Sequence, residues 1–183
     1  MNQQAIIVVD LQNEYLPTGK LPLSGIEQAV VHAVKVIGDA RARGSLVVHV
    51  RHESGDPTRP IFTPGTQGTQ FMAAVAPQAG EPEILKHHPN SFLRTDLKQI
   101  LDEHGIEEVT IVGAMSHMCI DATVRAASDL GYRVTVVHDA CATRDLEFGG
   151  QVVAAAQVHV AFMSALAFAY GRIISCQEYL ADI

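Results

Sequence analysis

The amino-acid sequence predicts a doubly wound α/β domain, with a mainly parallel β-sheet covered by helices on both faces. Three observations support this prediction. Short β-branched runs alternate with longer segments whose apolar residues recur at helical spacing. The first run, Ala5–Val9, is almost continuously apolar, which is typical of a central parallel strand. The 183 residues suit a single domain over residues 1–183, and no linker, internal repeat or low-complexity tract divides them.

The predicted elements follow one another in a regular order. After the first strand, a helix over Ile26–Arg43 carries its apolar residues on one stripe, and Gly44 is placed to end it. A second strand covers Ser45–Val50. The remaining predictions are strands at Glu83–Leu85, Val109–Val112, Arg133–Val137 and Ile173–Ile174, and helices at Asp96–His104, Ile120–Leu130 and Gln151–Tyr170.

A long irregular segment is predicted at residues 52–69, which carry three prolines and no hydrophobic periodicity. A loop of this length is uncommon in a compact α/β domain. Such loops more often carry function than serve only as connections, so we expect this one to take part in function.

Composition and charge exclude several classes of protein. The formal net charge is −7 at pH 7 and no Lys/Arg cluster offsets it, which argues against a nucleic-acid partner. No apolar run approaches membrane-spanning length, so no membrane partner is expected. The three cysteines, at positions 119, 141 and 176, do not indicate a disulfide framework. Because the N-terminus enters a strand without signal-peptide features, the predicted location is the cytoplasm.

Three reactive side chains follow the ends of predicted strands. Asp10 ends the first strand, Lys86 ends the third and Cys119 follows the fourth. Ligands of doubly wound sheets bind beyond the carboxyl ends of the strands, so we expect a carboxylate, an ammonium and a thiol at one sheet edge. The position of Cys119 at the start of a helix favours the thiolate, since helix N-termini stabilise anions. Taken singly, each residue also has a simpler explanation: Asp10 as a helix or turn cap, Lys86 as a solvated charge and Cys119 as a core residue.

The segments that carry these residues resemble the isochorismatase-like cysteine hydrolases. The resemblance rests on three ordered motifs: D-x-Q within Val8–Glu14, K-x-x-x-x-S-F from Lys86 to Phe92, and G-x-x-x-x-x-C-[IV]-x-x-T within Gly113–Ala127. It extends from the first strand to at least His159. It implies a Rossmann-like sheet of six parallel strands with helices on both faces.

The resemblance also implies a catalytic triad of Asp10, Lys86 and Cys119, and a cis peptide bond between Ala114 and Met115. In such a triad Asp10 accepts the thiol proton and returns it to the departing amine, while Lys86 keeps Asp10 charged and favours the thiolate. The backbone N–H groups of Met115 and Cys119 would form the oxyanion hole. The expected reaction is hydrolysis of an amide, carbamoyl or lactam bond in a small-molecule substrate through a thioester intermediate.

Departures from the best-known relatives limit the expected chemistry. Nicotinamidase-like members carry an Asp-x-His pair and a further histidine that bind a metal, whereas the corresponding stretch here, His49–Asp56, lacks that motif and its spacing. We therefore expect neither a metal nor another cofactor. Isochorismatases protonate a vinyl ether from the aspartate and need no thiol, so Cys119 favours C–N hydrolysis. Vinyl ether hydrolysis and a catalytically silent family member stay open as alternatives.

Further residues are candidates to contact the substrate. In chain order they are Tyr15, Arg51, His52, Phe62, Phe92 and His117. The aromatic ones lie near strand exits or in the long loop, where core packing is an equal or better explanation. The arginine and the histidine that follow the second strand are candidates to bind a substrate carboxylate.

Two other functional classes share this type of sheet or this type of residue. A dinucleotide- or flavin-binding protein would carry G-x-G-x-x-G after the first strand, where this chain has Asp10–Glu14 with its carboxylates. A thiol-redox protein would be expected to carry a C-x-x-C motif, which is absent. The hydrolase interpretation is therefore favoured over both.

The predicted helix over Gln151–Tyr170 is apolar around more of its circumference than one sheet face requires. Some of its apolar surface must be covered by another element or by another molecule. We therefore expect a homodimer or a larger homo-oligomer. The alternative is that neighbouring helices and the C-terminal segment of the same chain bury it.

Overall fold

The computed structural model describes residues 3–56 and 58–182. The strands are β1 (Gln4–Val9), β2 (Leu46–His52), β3 (Glu83–Lys86), β4 (Glu108–Ala114), β5 (Arg133–Ala142), β6 (Leu146–Phe148), β7 (Gln151–Val153) and β8 (Arg172–Ile174). The helices are α1 (Ile26–Ala42), α2 (Leu97–Glu103), α3 (Asp121–Asp129), α4 (Ala155–Ala169) and α5 (Cys176–Ala181). Single 3₁₀ turns lie at Asn13–Tyr15, Gln67–Thr69 and Ala73–Val75, and a wide π-helical turn at Ser116–Ile120.

Six parallel strands form one sheet in the order β3–β2–β1–β4–β5–β8. The chain runs outward from β1 through β2 to β3, and then returns to place β4 on the other side of β1. This reversal opens a crevice beyond the carboxyl ends of β1 and β4, which is where doubly wound sheets bind ligands. The predicted fold class is confirmed, including the six strands and the helices on both faces.

Two hydrophobic cores lie on opposite faces of the sheet. Successive residues of β1 point to opposite sides, so Ile7 belongs to one core and Ile6 to the other. The first core contains Leu101 of α2, Val124 of α3 and Leu166 of α4, whereas α1 and α5 cover the second. Because helices cover β1 on both faces, its nearly unbroken apolar run is explained.

The predicted helix over Gln151–Tyr170 is wrong at its beginning. Residues Gln151–Val153 form β7, which pairs antiparallel with Leu146–Phe148 as a hairpin. The turn between them is formed by Gly149 and Gly150, which both have positive φ. Two adjacent glycines favour a tight hairpin turn, and the β-branched pair that follows suits a strand, so these local preferences outweigh the apolar spacing.

The C-terminal region contains a helix that the sequence-based prediction lacked. Ser175 caps α5 by accepting a hydrogen bond from the Glu178 backbone N–H, and the Glu178 side chain accepts one from the Ser175 backbone N–H. This reciprocal capping box is visible in the sequence as S-x-x-E. The fifth strand is also longer than predicted, since β5 continues to Ala142.

The outer face of α4 remains apolar and exposed. Val160 is 67% exposed and Phe168 is 92% exposed, so the chain does not cover this face by itself. The expected homo-oligomer stays a prediction. Among the described residues, no helix has the length and apolar character needed to cross a membrane.

Gly113 of β4 is a glycine whose replacement tests the packing below the crevice. Its φ is +131°, and a Cβ atom there would lie 1.9 Å from the carbonyl oxygen of Val9 in β1. We expect Gly113→Ala to lower the free energy of unfolding by about 2–5 kcal/mol, because backbone strain and overpacking act together. Urea denaturation followed by circular dichroism measures this change.

Gly38, on the exposed side of α1, is the matched control, because a Cβ there would meet no atom within 4 Å. Gly38→Ala should raise the free energy of unfolding by about 0.5–1 kcal/mol, since alanine is the better helix former. Equal effects of the two substitutions would contradict the close approach of β1 and β4.

Candidate active site

The structure brings Asp10, Lys86 and Cys119 together at the carboxyl edge of the sheet. Asp10 follows β1 directly and has a left-handed backbone (φ 52°). Lys86 is the last residue of β3, and Cys119 lies in the π-helical turn between β4 and α3. The Lys86 Nζ atom donates hydrogen bonds to Asp10 Oδ2 at 2.6 Å and to Cys119 Sγ at 3.3 Å. All three side chains are buried.

His52 supplies a third acceptor for the same ammonium group. It is the last residue of β2 and is paired in register with Lys86 of β3. Its Nδ1 atom lies 3.5 Å from Lys86 Nζ. Burial, reinforced by the positive charge of Lys86, lowers the pKa of His52 to about 3. The imidazole is therefore neutral and accepts from the ammonium rather than repelling it.

Burial and charge act in opposite directions on the Asp10–Lys86 pair. Burial raises the pKa of the Asp10 carboxyl above its ordinary value, and the charge of Lys86 opposes this rise. Burial lowers the pKa of Lys86, but the negative charge of Asp10 and the hydrogen bonds to Asp10 and Cys119 outweigh this effect, so the pKa is raised overall. The ammonium therefore stays charged.

The Cys119 thiol does not have the electrostatic environment that its position predicts. Burial first, and then the charge of Asp10, raise the pKa of this thiol to about 12, although Lys86 opposes the rise. The expectation that the helix start alone favours a thiolate is wrong, because desolvation outweighs it. Asp10 Oδ1 is buried and has no hydrogen-bond partner among the residues described, so it has an unused acceptor position.

A cavity of about 340 Å³ opens onto Cys119. Five of the residues singled out in the sequence line it, namely Tyr15, His52, Phe62, Met115 and Cys119. The Phe62 ring makes edge-on contacts with Tyr15, at 5.2 Å between ring centroids, and with His52, at 5.1 Å. The peptide bond between Ala114 and Met115 is cis, as the resemblance implied.

Three residues predicted to contact substrate lie outside the lining of this cavity. Phe92 stacks on Tyr132 at 6.1 Å between ring centroids and packs against the hydrophobic core. The His117 Nδ1 atom lies 2.6 Å from Thr143 Oγ1. Arg51 forms an ion pair with Glu53, which engages its guanidinium. Each of these three side chains therefore contacts another residue of the chain and does not line the cavity.

Other residues that line the cavity were not singled out in the sequence. They are Leu21, Ser54, Gly55, Asp56, Arg59, Ile61, His87, Pro89 and Met118. Most of them lie in or beside residues 52–69, the long irregular segment that was expected to take part in function. Its length and lack of periodicity were the only signal, and they do not reveal which side chains face the cavity.

Three motif residues outside the triad form two hydrogen-bonded connections between separate segments of the chain. The Gln12 side chain is fully buried, accepts a hydrogen bond from the His52 backbone N–H at 2.8 Å and donates to the Thr69 carbonyl at 2.8 Å. The Ser91 hydroxyl lies 2.8 Å from the Thr123 hydroxyl, and both side chains are buried. This second connection joins the loop after Lys86 to the helix after Cys119.

The described residues offer no group of three or more His, Cys, Asp or Glu side chains arranged to hold a metal ion. His49 illustrates why isolated histidines are poor indicators of metal sites. It is fully buried in β2, and its Nε2 atom lies 2.9 Å from Glu81 Oε2. The expectation of no metal stays a prediction.

Comparison with known proteins gives a consistent set of relatives. The model of the Isochorismatase domain family matches residues 4–167. The chain is 43% identical to YddQ, an uncharacterized isochorismatase family protein of Bacillus subtilis, over 96% of this chain and 98% of that protein. It is 29% identical to the maleamate amidohydrolase of Pseudomonas putida, over 76% of this chain and 72% of that protein. A crystal structure from Oleispira antarctica, described as an isochorismatase hydrolase, matches with TM-score 0.95 and 51% identity, covering 98% of this chain and 97% of that one.

The raised pKa of Cys119 predicts how its thiol titrates in the free protein. Since burial raises this pKa to about 12, Cys119 should carry no detectable fraction of thiolate at neutral pH. The ultraviolet difference spectrum between the unaltered protein and Cys119→Ser should show no thiolate band up to about pH 9. A thiolate band that appears below about pH 9 would contradict the dominant effect of burial.

Proposed function

Since the chain belongs to the isochorismatase family of hydrolases, we propose that it is a cysteine-dependent hydrolase of C–N bonds in small molecules. The bond is an amide, carbamoyl or lactam bond, and the intermediate is a thioester on Cys119. The observation that carries this proposal is the contact of one buried ammonium, Lys86 Nζ, with both Asp10 Oδ2 at 2.6 Å and Cys119 Sγ at 3.3 Å. The proposed base and the proposed nucleophile thus share one cation, and the nucleophile lines the cavity.

In the first half of the proposed reaction, Asp10 removes the proton from the Cys119 thiol. The sulfur attacks the substrate carbonyl carbon, and a C–S bond forms while the carbonyl oxygen takes the negative charge. Asp10 then passes the proton to the substrate nitrogen, the C–N bond breaks, and ammonia or an amine leaves. Met115 and Cys119 line the cavity, and their backbone N–H groups are the proposed donors to the oxyanion.

In the second half, Asp10 takes a proton from a water molecule, whose oxygen attacks the thioester carbonyl carbon. The C–S bond breaks as the tetrahedral intermediate collapses, and the proton held by Asp10 returns to the Cys119 sulfur. The acid product leaves and the resting thiol is restored. Lys86 remains an ammonium throughout and balances the negative charge that moves between the other two groups.

The cavity limits the proposed substrate to a small molecule. Its volume of about 340 Å³ lies at the lower end of the range for ligand pockets. Leu21, Ile61 and Met118 give it apolar walls, while Arg59 and His87 supply polar groups. One relative is a maleamate amidohydrolase, a name that denotes cleavage of a small amide and agrees with the proposed bond type.

A second candidate is the hydrolysis of a vinyl ether, in which a protonated Asp10 acts as the acid. The raised pKa of this carboxyl favours the protonated form, and the neighbouring Lys86 ammonium opposes it. The two candidates differ in their need for sulfur, because protonation of an ether requires no thiol. Substitution of Cys119 therefore distinguishes them.

A screen of small amides, lactams and N-carbamoyl compounds tests the proposed reaction, with released ammonia as the readout. We expect turnover of some member of the panel, and a fall of at least about a thousandfold in kcat for both Cys119→Ala and Cys119→Ser. Cys176→Ser is the matched control, because Cys176 lies at the start of α5, and it should keep its activity. A parallel series with a chelator tests the expectation that no metal is needed.

A fully active Cys119→Ala variant would exclude the thioester route. Activity on isochorismate-like ethers that survives the loss of Cys119 would support the second candidate instead. A catalytically silent family member would show no turnover in either assay.

The acid side of the pH profile tests the role of Asp10. Activity requires the carboxylate, so kcat/KM should fall as Asp10 becomes protonated, with a midpoint above the ordinary value of 3.8 because burial raises this pKa. Lys86→Met removes the charge that opposes the rise, so the midpoint of the residual activity should move to still higher pH. Lys98→Met is the control, since that exposed lysine pairs with Asp102. An acid limb that does not move in Lys86→Met would show that Lys86 does not couple to Asp10.

A further inference from the structure

Phe62 has a backbone conformation that a phenylalanine rarely adopts. Its φ is +51°, in the left-handed region that a bulky side chain disfavours. Among the described residues, only two others that are not glycine share a positive φ, namely Asp10 and Arg94. A strained residue of this kind persists only where its surroundings hold it in place.

Two hydrogen bonds hold the Phe62 backbone. Its N–H donates to Glu14 Oε1 at 2.7 Å, and its carbonyl accepts from the Ser54 N–H at 2.8 Å. The bond to Glu14 involves a carboxylate, so it is stronger than one between neutral groups. The Phe62 ring is thereby fixed against Tyr15 and His52 as one wall of the cavity.

Glu14 is itself held rigidly, although it does not line the cavity. It is only 3% exposed, and its carbonyl accepts a hydrogen bond from the Leu21 N–H at 3.0 Å. Gly19 packs so closely that a Cβ atom there would lie 2.2 Å from the Glu14 carbonyl oxygen. Gly68 packs as closely against the carboxylate, since a Cβ atom there would lie 2.2 Å from Glu14 Oε2. The Glu14 backbone thus packs against Gly19 and its carboxylate packs against Gly68.

We propose that Glu14 is a positioning residue that sets which molecules reach Cys119. Its buried carboxylate holds Phe62 in the left-handed conformation, so the size of the group that the cavity admits depends on a side chain that never touches the substrate. This inference concerns the same cavity as the proposed function, but its test requires no turnover. A failure of either one therefore leaves the other standing.

The test compares two alkylating reagents that differ in size. Rate constants for modification of Cys119 by iodoacetamide and by N-benzyliodoacetamide are measured by mass spectrometry at one pH, and each is divided by the rate constant for free cysteine. The quotient of the two values is the size selectivity of the cavity. In the unaltered protein the smaller reagent should be strongly preferred.

The informative variant is Glu14→Asp, which keeps a carboxylate but shortens the side chain by one methylene. Because the Glu14 backbone is clamped, the shorter side chain cannot reach the Phe62 N–H. The wall should loosen, and the preference for the smaller reagent should fall by about tenfold or more. Glu14→Gln keeps the side-chain length and an acceptor oxygen, so it should prefer the smaller reagent about as strongly as the unaltered protein does.

Glu81→Asp is the matched control. Glu81 also accepts a hydrogen bond from a backbone N–H, that of Gln78 at 2.8 Å. It precedes β3, however, and so lies at the amino ends of the strands, away from the cavity. Loss of that bond should lower stability without changing size selectivity. The comparison separates the positioning of Phe62 from general destabilisation.

Gly68→Ala gives a second route to the same result if Glu14→Asp does not fold. The three heavy atoms nearest to the added methyl group all belong to the Glu14 carboxylate, so the substitution should displace this group and lower the size selectivity in the same direction. In a Phe62→Ala background, neither substitution should have any further effect. A folded Glu14→Asp or Gly68→Ala protein with unchanged size selectivity would overturn the proposal, and so would an undiminished effect in the Phe62→Ala background.

Discussion

One buried ammonium group is the constraint on which the rest of the site depends. A charge removed from water is costly unless partners surround it, and Lys86 has an acceptor for each of its three N–H groups. These acceptors are Asp10, His52 and Cys119, which follow or end β1, β2 and β4, while Lys86 ends β3. Four strand ends must therefore keep their relative positions for one charge to stay paired.

The loops beyond those strands are held by buried polar side chains rather than by apolar packing alone. Gln12 ties the end of β2 to the turn at Thr69, and the Ser91–Thr123 contact ties the loop after Lys86 to α3. Irregular backbone at a cavity cannot satisfy its own hydrogen bonds as a helix or a strand does. Side chains that bond to that backbone are therefore needed to give the loops one conformation, and several motif residues serve this purpose.

The sequence predicts those features that depend on local pattern and strand order. The positions of Asp10, Lys86 and Cys119 at strand exits follow from the alternation of strands and helices, and the structure brings them together. Contacts between distant loops have no such pattern, so neither His52 as a partner of Lys86 nor Glu14 as a partner of Phe62 was predictable. The sign of the Cys119 pKa shift was missed for a related reason, because burial depends on the whole fold and outweighs the local helix start. The hairpin before α4 was missed because the apolar residues that follow the Gly149–Gly150 turn were assigned to the helix instead of to a strand.

The raised pKa of the thiol is compatible with a nucleophilic role once the charges of the site are counted. Lys86 carries one positive charge, which balances one negative charge on either Asp10 or Cys119 but not on both. Loss of the thiol proton to solvent would leave two buried anions beside one cation, which is why burial and Asp10 together raise the pKa to about 12. Transfer of the same proton to Asp10 leaves the net charge of the site unchanged, so the desolvation that opposes ionisation does not oppose the transfer to the same extent. In the proposed reaction, Asp10 therefore takes the thiol proton as the sulfur attacks the substrate carbonyl, and no free thiolate has to form beforehand.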